Sequence, residues 1–205
     1  MTGATAQLRV TSDVPGWVSV PEPGTAEARA TWIDDQIAAF RGSGEVEWNE
    51  GLEQYLRVLL DLAVDRWRDE DTLVFQVWPS AVPACVFVHF AVGHLPAEVP
   101  RPGPGDGLFY DSEGVGPGVQ IPVVEQLPEG EAIGIRFLFT RGEQALVVDV
   151  EPTAPELLTA LMPGLHSALQ SLEVTLSDGT RFRAEAPHLL EAQEHESWVD
   201  SLASP

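Results

Sequence analysis

Two apolar segments joined by a tight turn, residues 133–151, constrain the fold of this chain more than any other feature. Gly142-Glu143 suits a two-residue type II′ turn, which takes glycine at its first central position. The turn fixes one register, in which one face of the hairpin is apolar and the other carries an ion pair across the strands. The facing pairs are Phe139 with Leu146, Phe137 with Val148, Ile135 with Val150 and Arg136 with Asp149. The sequence therefore predicts an antiparallel hairpin here.

The rest of the chain alternates between helical and extended patterns. Apolar residues at three- and four-residue spacing predict helices at 26–41 and 50–67, each preceded by a capping residue. A third helix follows Pro155, and Pro163-Gly164 should kink it or split it in two. The predicted strands outside the first hairpin are 72–78, 84–92, 119–125, 172–176 and 180–185, with two short extended pieces near the N-terminus. The three-residue loop 177–179 should join the last two strands as a second hairpin, in which Val174 faces Phe182 and Glu173 meets Arg183 on the outer face.

This order of elements predicts an α+β fold. We expect an antiparallel sheet of about six to eight strands, with two N-terminal helices and one later helix packed on it. Pro122 should confine the strand 119–125 to an edge of that sheet, because proline cannot donate a hydrogen bond to a neighbouring strand. Residues 1–185 should form a single domain, and residues 186–205 a polar C-terminal tail or short helix.

Residues 93–118 interrupt the pattern, since twelve of these 26 residues are glycine or proline. Long loops in compact domains are commonly functional. We expect this loop to present aromatic and acidic side chains to a protein partner. The candidate contact residues are Asp106, Phe109, Tyr110, Asp111 and Glu113. In the alternative interpretation, both aromatic rings fold back onto the core as a lid.

The net charge of −21 limits the classes of partner. All eleven basic residues are arginine, so the chain lacks the lysine that Schiff-base chemistry or a phosphate-binding P-loop requires. Nucleic acids and anionic membranes should be repelled. The acidity favours a basic protein partner, although a GC-rich genome and selection for solubility would also produce an acidic, lysine-free chain.

Few residues suggest catalysis, and no cofactor is predicted. Cys85 lies in the most apolar strand, where a thiol is buried and inert. The residues His188, Glu191 and His195 would share one face of a helix and could hold zinc, but a solvated helix face explains the same pattern. No Gly-x-Ser-x-Gly motif is present. A single cysteine and the lack of a signal peptide or membrane-spanning segment predict a cytoplasmic protein.

The segment 15–21 (PGWVSVP) and the junction of the late helix with Ser171-Leu172-Glu173-Val174, together with the order of elements, resemble the PsbP-like group. That group of α+β domains includes the extrinsic photosystem II protein and a yeast Ran-binding relative. The resemblance covers residues 17–185. It implies a binding or assembly role without a catalytic set, and it assigns no functional residue.

Together these features predict a non-enzymatic protein-binding module, such as an acidic adaptor, chaperone or immunity-type partner of a basic protein. The alternative is a small-ligand-binding or hydrolytic protein with a pocket under the 93–118 loop that contains His89 or His94. A third hypothesis is a metal-dependent activity at the face formed by His188, Glu191 and His195.

Overall fold

The computed structural model describes residues 6–10, 14–43, 47–79, 84–95, 107–128 and 130–187. These residues form three helices and two antiparallel sheets, which confirms the predicted α+β class. The elements are β1 (Gln7–Arg9), β2 (Trp17–Val20), α1 (Ala26–Ser43), α2 (Glu50–Val64), β3 (Leu73–Val77), β4 (Val86–His94), β5 (Leu108–Ser112), β6 (Gly116–Leu127), β7 (Gly130–Arg141), β8 (Gln144–Thr153), α3 (Pro155–Ser171) and β9 (Glu173–Thr175). The larger sheet has the strand order β2-β3-β4-β8-β7-β6-β5, and β1 pairs with β9.

The β7–β8 hairpin has the predicted register. Phe137 faces Val148 and Arg136 faces Asp149, and all four predicted facing pairs are confirmed. At the turn only Gly142 has a positive φ, of 57°, as a type II′ turn requires. The register then shifts at Gly134, where a side chain would lie 2.5 Å from a carbonyl oxygen of β8. A glycine is therefore needed at this bulge.

One face of the large sheet packs against α3. Its largest buried side chains come from β4, β7 and β8, and they meet a row of leucines on α3 and Phe182 beyond β9. Of the two effects predicted for Pro163-Gly164, the split does not occur, since α3 runs as one helix through Pro163, and the kink stays a prediction. The second predicted hairpin has the expected register, with Thr175 opposite Arg181. Glu173, however, pairs with Arg181 at 3.0 Å and not with the predicted arginine two residues later.

The second face of the sheet carries α1 and α2. Both helices have the predicted N-caps, because Thr25 and Asn49 accept hydrogen bonds from backbone N–H groups of the first turn. The apolar clusters beneath these helices draw their strand residues from β2, β3 and β4. In the described part of the chain, α1 and α2 thus cover only one half of this face.

The predicted irregular segment 93–118 contains more regular structure than expected. It includes the end of β4, the whole of β5 and the start of β6. Several of its glycines permit close contacts between strands: a side chain on Gly118 would lie 2.5 Å from the ring of Phe139. Pro122 does not place β6 at the sheet edge, because β6 lies between β5 and β7. The first residue of β5, Leu108, lies opposite Gln120, so the pairing of β5 with β6 does not reach Pro122. Pro122 therefore pairs with β7 alone.

Two further expectations concern membrane-spanning segments and the C-terminal tail. None of the described helices has the length and apolar character needed to cross a membrane. The predicted tail or helix at 186–205 lies outside the described residues except for its first two positions.

Candidate functional site

Three of the five residues predicted to contact a partner lie on the outermost described strand of the sheet, not in an irregular loop. Phe109, Tyr110 and Asp111 belong to β5, and Glu113 lies in the turn that follows. Adjacent residues of a strand point to opposite faces of the sheet. The Phe109 side chain is accordingly 54% exposed, whereas Tyr110 is half-buried on the face that carries α3. Asp106 lies outside the described residues.

Tyr110 anchors β5 to the rest of the molecule. Its ring lies opposite Gly118, and its centroid is 4.9 Å from the ring of Phe137 in an edge-to-face arrangement. Its hydroxyl oxygen is 3.1 Å from Nδ1 of His166 and accepts a hydrogen bond from the Gln170 amide. Burial raises the pKa of Tyr110 to about 12, so the phenol stays protonated. Tyr110 therefore fits the alternative in which the ring belongs to the core.

The turn after β5 is also attached to α3. The Ser112 hydroxyl donates a hydrogen bond of 2.6 Å to the carbonyl oxygen of Leu169. The Gln170 side chain accepts from the Glu113 N–H at 2.7 Å and donates to the Asp111 carbonyl oxygen at 3.0 Å. These contacts hold the strand in place, and Phe109 is presented on its opposite side as an exposed ring next to two acidic residues.

An ion cluster that the sequence did not predict surrounds His89, in the middle of β4. Its Nδ1 lies 2.8 Å from Oδ2 of Asp71, and its Nε2 lies 3.1 Å from Oε1 of Glu151. The imidazole is 2% exposed. Ionised carboxylates only accept hydrogen bonds, so these two distances fit an imidazolium cation that carries a proton on each ring nitrogen.

The pKa shifts in this cluster agree with that charge assignment. Burial lowers the pKa of His89, but the hydrogen bonds to Asp71 and Glu151 raise it by more, so the net change is upward from 6.5. Burial raises the pKa of Glu151, but the His89 hydrogen bond and the nearby Arg66 lower it by more. Both nitrogens of His89 are occupied, so the ring has no free lone pair with which to accept a proton.

Three arginines complete the cluster around the β8 carboxylates. Arg68 Nη1 lies 2.7 Å from Oδ2 of Asp149, and Arg136 Nη2 lies 3.2 Å from the same oxygen. Arg66 Nη1 lies 3.6 Å from Oε2 of Glu151. The cluster thus joins β4, β7, β8 and the segment after α2. The available sequence signal was one histidine within the apolar strand β4 and two acidic residues at alternate positions of β8.

Asp149 pairs with both Arg68 and Arg136. Reversing the charge at position 149 should therefore cost more stability than reversing it at position 136. Arg136→Asp should lower the free energy of unfolding by roughly 0.5–1 kcal/mol, because that arginine is about half exposed. Asp149→Arg should cost about 2 kcal/mol, since Arg68 then also faces a like charge.

The double exchange should restore only part of that loss, because Arg68 keeps its unfavourable neighbour. Urea unfolding of the wild-type protein, both single variants and the double variant measures the coupling between positions 136 and 149. Strictly additive losses would contradict a direct interaction between the two side chains.

The other candidates for catalysis or metal binding are not assembled into a site within the described residues. Cys85 is half-buried, and burial raises the pKa of its thiol above the usual range. No group of three His, Cys, Asp or Glu side chains in the described ranges has a geometry that could hold a metal ion. Around His89 the carboxylates lie at opposite ring nitrogens. The candidate zinc ligands His188, Glu191 and His195 lie outside the described residues.

Comparison with family models, curated proteins and solved structures finds no match. The resemblance to the PsbP-like group therefore stays a prediction. Functional conclusions about this chain depend on its own side chains.

Proposed function

We propose that this chain is a non-enzymatic protein-binding module for a basic partner, acting as an adaptor, chaperone or immunity-type inhibitor. The observation that carries the proposal is the exposed ring of Phe109, held on a strand that Tyr110 anchors and followed by the carboxylates of Asp111 and Glu113. Exposed aromatic side chains on a fixed backbone are frequent hot spots of protein interfaces. The acidic surface would accelerate the encounter with a basic partner and select against acidic ones.

The alternative, a small-ligand-binding or hydrolytic protein, has one observation in its favour. His89 lies between two carboxylates, and a histidine oriented by a carboxylate is a common general base. To act in this way, His89 would have to be neutral and a ligand would have to displace Glu151 from Nε2. The burial and the positive charge of the ring favour the binding module over this alternative.

Phe109→Ala should weaken capture of the partner at least tenfold without changing the melting temperature. The reason is that the ring contributes apolar contact area to an interface but packs against little of its own chain. The partner would be obtained by affinity capture from the native cell, and its affinity for each variant would be measured by calorimetry.

Leu127→Ala is the matched control, because Leu127 is another exposed apolar residue of the outer strands. Asp111→Arg should also reduce the affinity, and the reduction should shrink at high salt. Equal capture by the wild-type protein and the Phe109 variant would remove the basis of the proposal.

A further inference from the structure

Helix α2 carries three exposed apolar side chains that lie outside the apolar clusters it shares with the sheet and with α1, and they are called the stripe below. The Val58 side chain is 57% exposed, Leu62 is 50% exposed and Tyr55 is 46% exposed. Successive residues of an α-helix are about 100° apart, which places these three side chains within an arc of about 60°. The apolar face of α2 is therefore wider than the core of this molecule requires.

The contacts of α2 on its other sides define where the stripe faces. Leu56 and Leu60 are buried in the cluster that α2 shares with α1. Ion pairs attach α2 to α1, with Arg57 Nη1 2.7 Å from Asp34 and Asp61 Oδ1 2.6 Å from the Arg29 side chain. On the helix, Arg57 and Asp61 lie about 60–100° from Val58, on the side away from Leu62 and Tyr55. The stripe thus points away from α1.

The surroundings of the stripe are acidic. Segments 26–43 and 47–71 contain eleven acidic residues and five arginines. On the α1 side of the stripe, Arg29 is shared by the carboxylates of Asp61 and Asp65, which leaves this group with a net negative charge. An apolar strip beside excess negative charge complements a helix that has an apolar face and basic residues at its margins.

Charge also separates this occupant from a second copy of the chain and from segment 188–205. A second copy of the protein would bring another −21 charges to the same surface. The segment 188–205 contains four acidic residues and no lysine or arginine. Both would approach an acidic surface against electrostatic repulsion, whereas a basic amphipathic helix would be attracted.

We propose that the stripe formed by Tyr55, Val58 and Leu62 is a docking surface for an amphipathic helix of a partner protein that carries lysine or arginine beside its apolar face. The inference takes the basic partner from the proposed function and assigns it a second surface, separate from Phe109. Apolar side chains of the partner helix pack on the stripe, and its basic residues pair with carboxylates such as Asp61 and Asp65.

The test uses three synthetic helical peptides and the full-length protein labelled with nitrogen-15. One peptide has leucines at three- and four-residue spacing and lysines elsewhere. The second has glutamates in place of the lysines, and the third has the composition of the first with the leucines dispersed around the helix. Amide chemical shifts locate the contact, and fluorescence anisotropy of labelled peptides measures affinity.

We expect the first peptide alone to bind, to shift the amide signals of α2, and to bind less tightly as the salt concentration rises. The double variant Val58→Gln, Leu62→Gln should weaken it at least tenfold and leave the melting temperature unchanged, since both side chains are exposed. Val124→Gln is the matched control at an exposed valine of β6 and should bind like the wild-type protein.

Several results would overturn the inference. They are equal binding of the acidic or the dispersed peptide, no binding of the first peptide, and a concentration-dependent dimer in ultracentrifugation that the double variant abolishes. Shifts confined to β5 would also overturn it while leaving the proposed function intact. Conversely, an α2 site that binds the peptide would survive a failure of Phe109→Ala to weaken partner capture.

Discussion

Replacing His89 by alanine is expected to lower the free energy of unfolding by about 3–5 kcal/mol at neutral pH, the range measured when one partner of a buried ion pair is removed. Among the described hydrogen bonds of Asp71, the His89 ring is the only side-chain cation, and the substitution removes it. The Asp71 carboxylate is 1% exposed. Glu151 loses one partner but keeps Arg66 and Arg68. Most of the loss should therefore come from Asp71.

Urea unfolding monitored by tryptophan fluorescence measures this loss, and His94→Ala is the matched control. His94 lies on the same strand but is exposed, so its replacement should change the stability by less than about 0.5 kcal/mol. A loss below about 1 kcal/mol for His89→Ala would show that the cluster does not depend on a charged imidazole.

The same pair of proteins should respond differently to pH. The folded-state pKa of His89 lies above its ordinary value of 6.5, so the contribution of the ionised ring is complete below that value. The contribution is lost as the pH rises through the raised pKa. The stability difference between wild-type protein and His89→Ala should thus decrease on the alkaline side, as Asp71, Glu151 and Arg68 come to face a neutral ring. A difference that grows with pH would contradict the charge assignment.

Gly118→Val should cost about 3 kcal/mol, at the upper end of the usual range for overpacking. The new side chain would approach the ring of Phe139 and the backbone oxygen of Leu138, both within 3 Å of its first carbon. Because Tyr110 is the residue of β5 that pairs with Gly118, β5 should also lose its attachment. Amide hydrogen exchange in β5 would then rise by more than exchange in β7.

Gly93→Val is the matched control for this substitution. It places the same side chain in β4 at a glycine with no atom within 4 Å of the added carbon. We expect little change in stability there, since valine suits an exposed strand position. Equal losses for the two variants would mean that the cost lies in the strand backbone and not in the contact with Phe139.

How far the sequence predicts the structure depends on the distance along the chain between interacting residues. The β7–β8 hairpin is predictable because a tight turn fixes which residues face each other. The His89 cluster is not, because it requires β4 to pair with β8, placing His89 beside Asp149 sixty positions later. Without that pairing, a histidine in an apolar strand and two acidic residues in another give no indication that they meet.

Glycine content wrongly predicts irregular backbone where the glycines lie in strands and leave room for a neighbouring side chain. In segment 93–118 the abundance of glycine predicts irregular backbone, yet Gly118 lies inside a strand because a neighbouring ring occupies the space of a side chain. The same error placed both aromatic residues in an irregular loop. Once β5 is recognised as a strand, the alternation of its residues assigns Phe109 to the surface and Tyr110 to the core.

The hydrogen bond from Gln170 to the Asp111 carbonyl oxygen has a consequence for behaviour at high concentration. Among the described strands β5 is the last of its sheet, and unpaired peptide groups of a terminal strand can recruit other chains into fibrils. A side-chain amide of α3 donates a hydrogen bond to one carbonyl oxygen of β5, and the mutual repulsion of strongly acidic molecules opposes stacking. We therefore expect the contacts that hold Phe109 in place to oppose fibril growth from this strand as well.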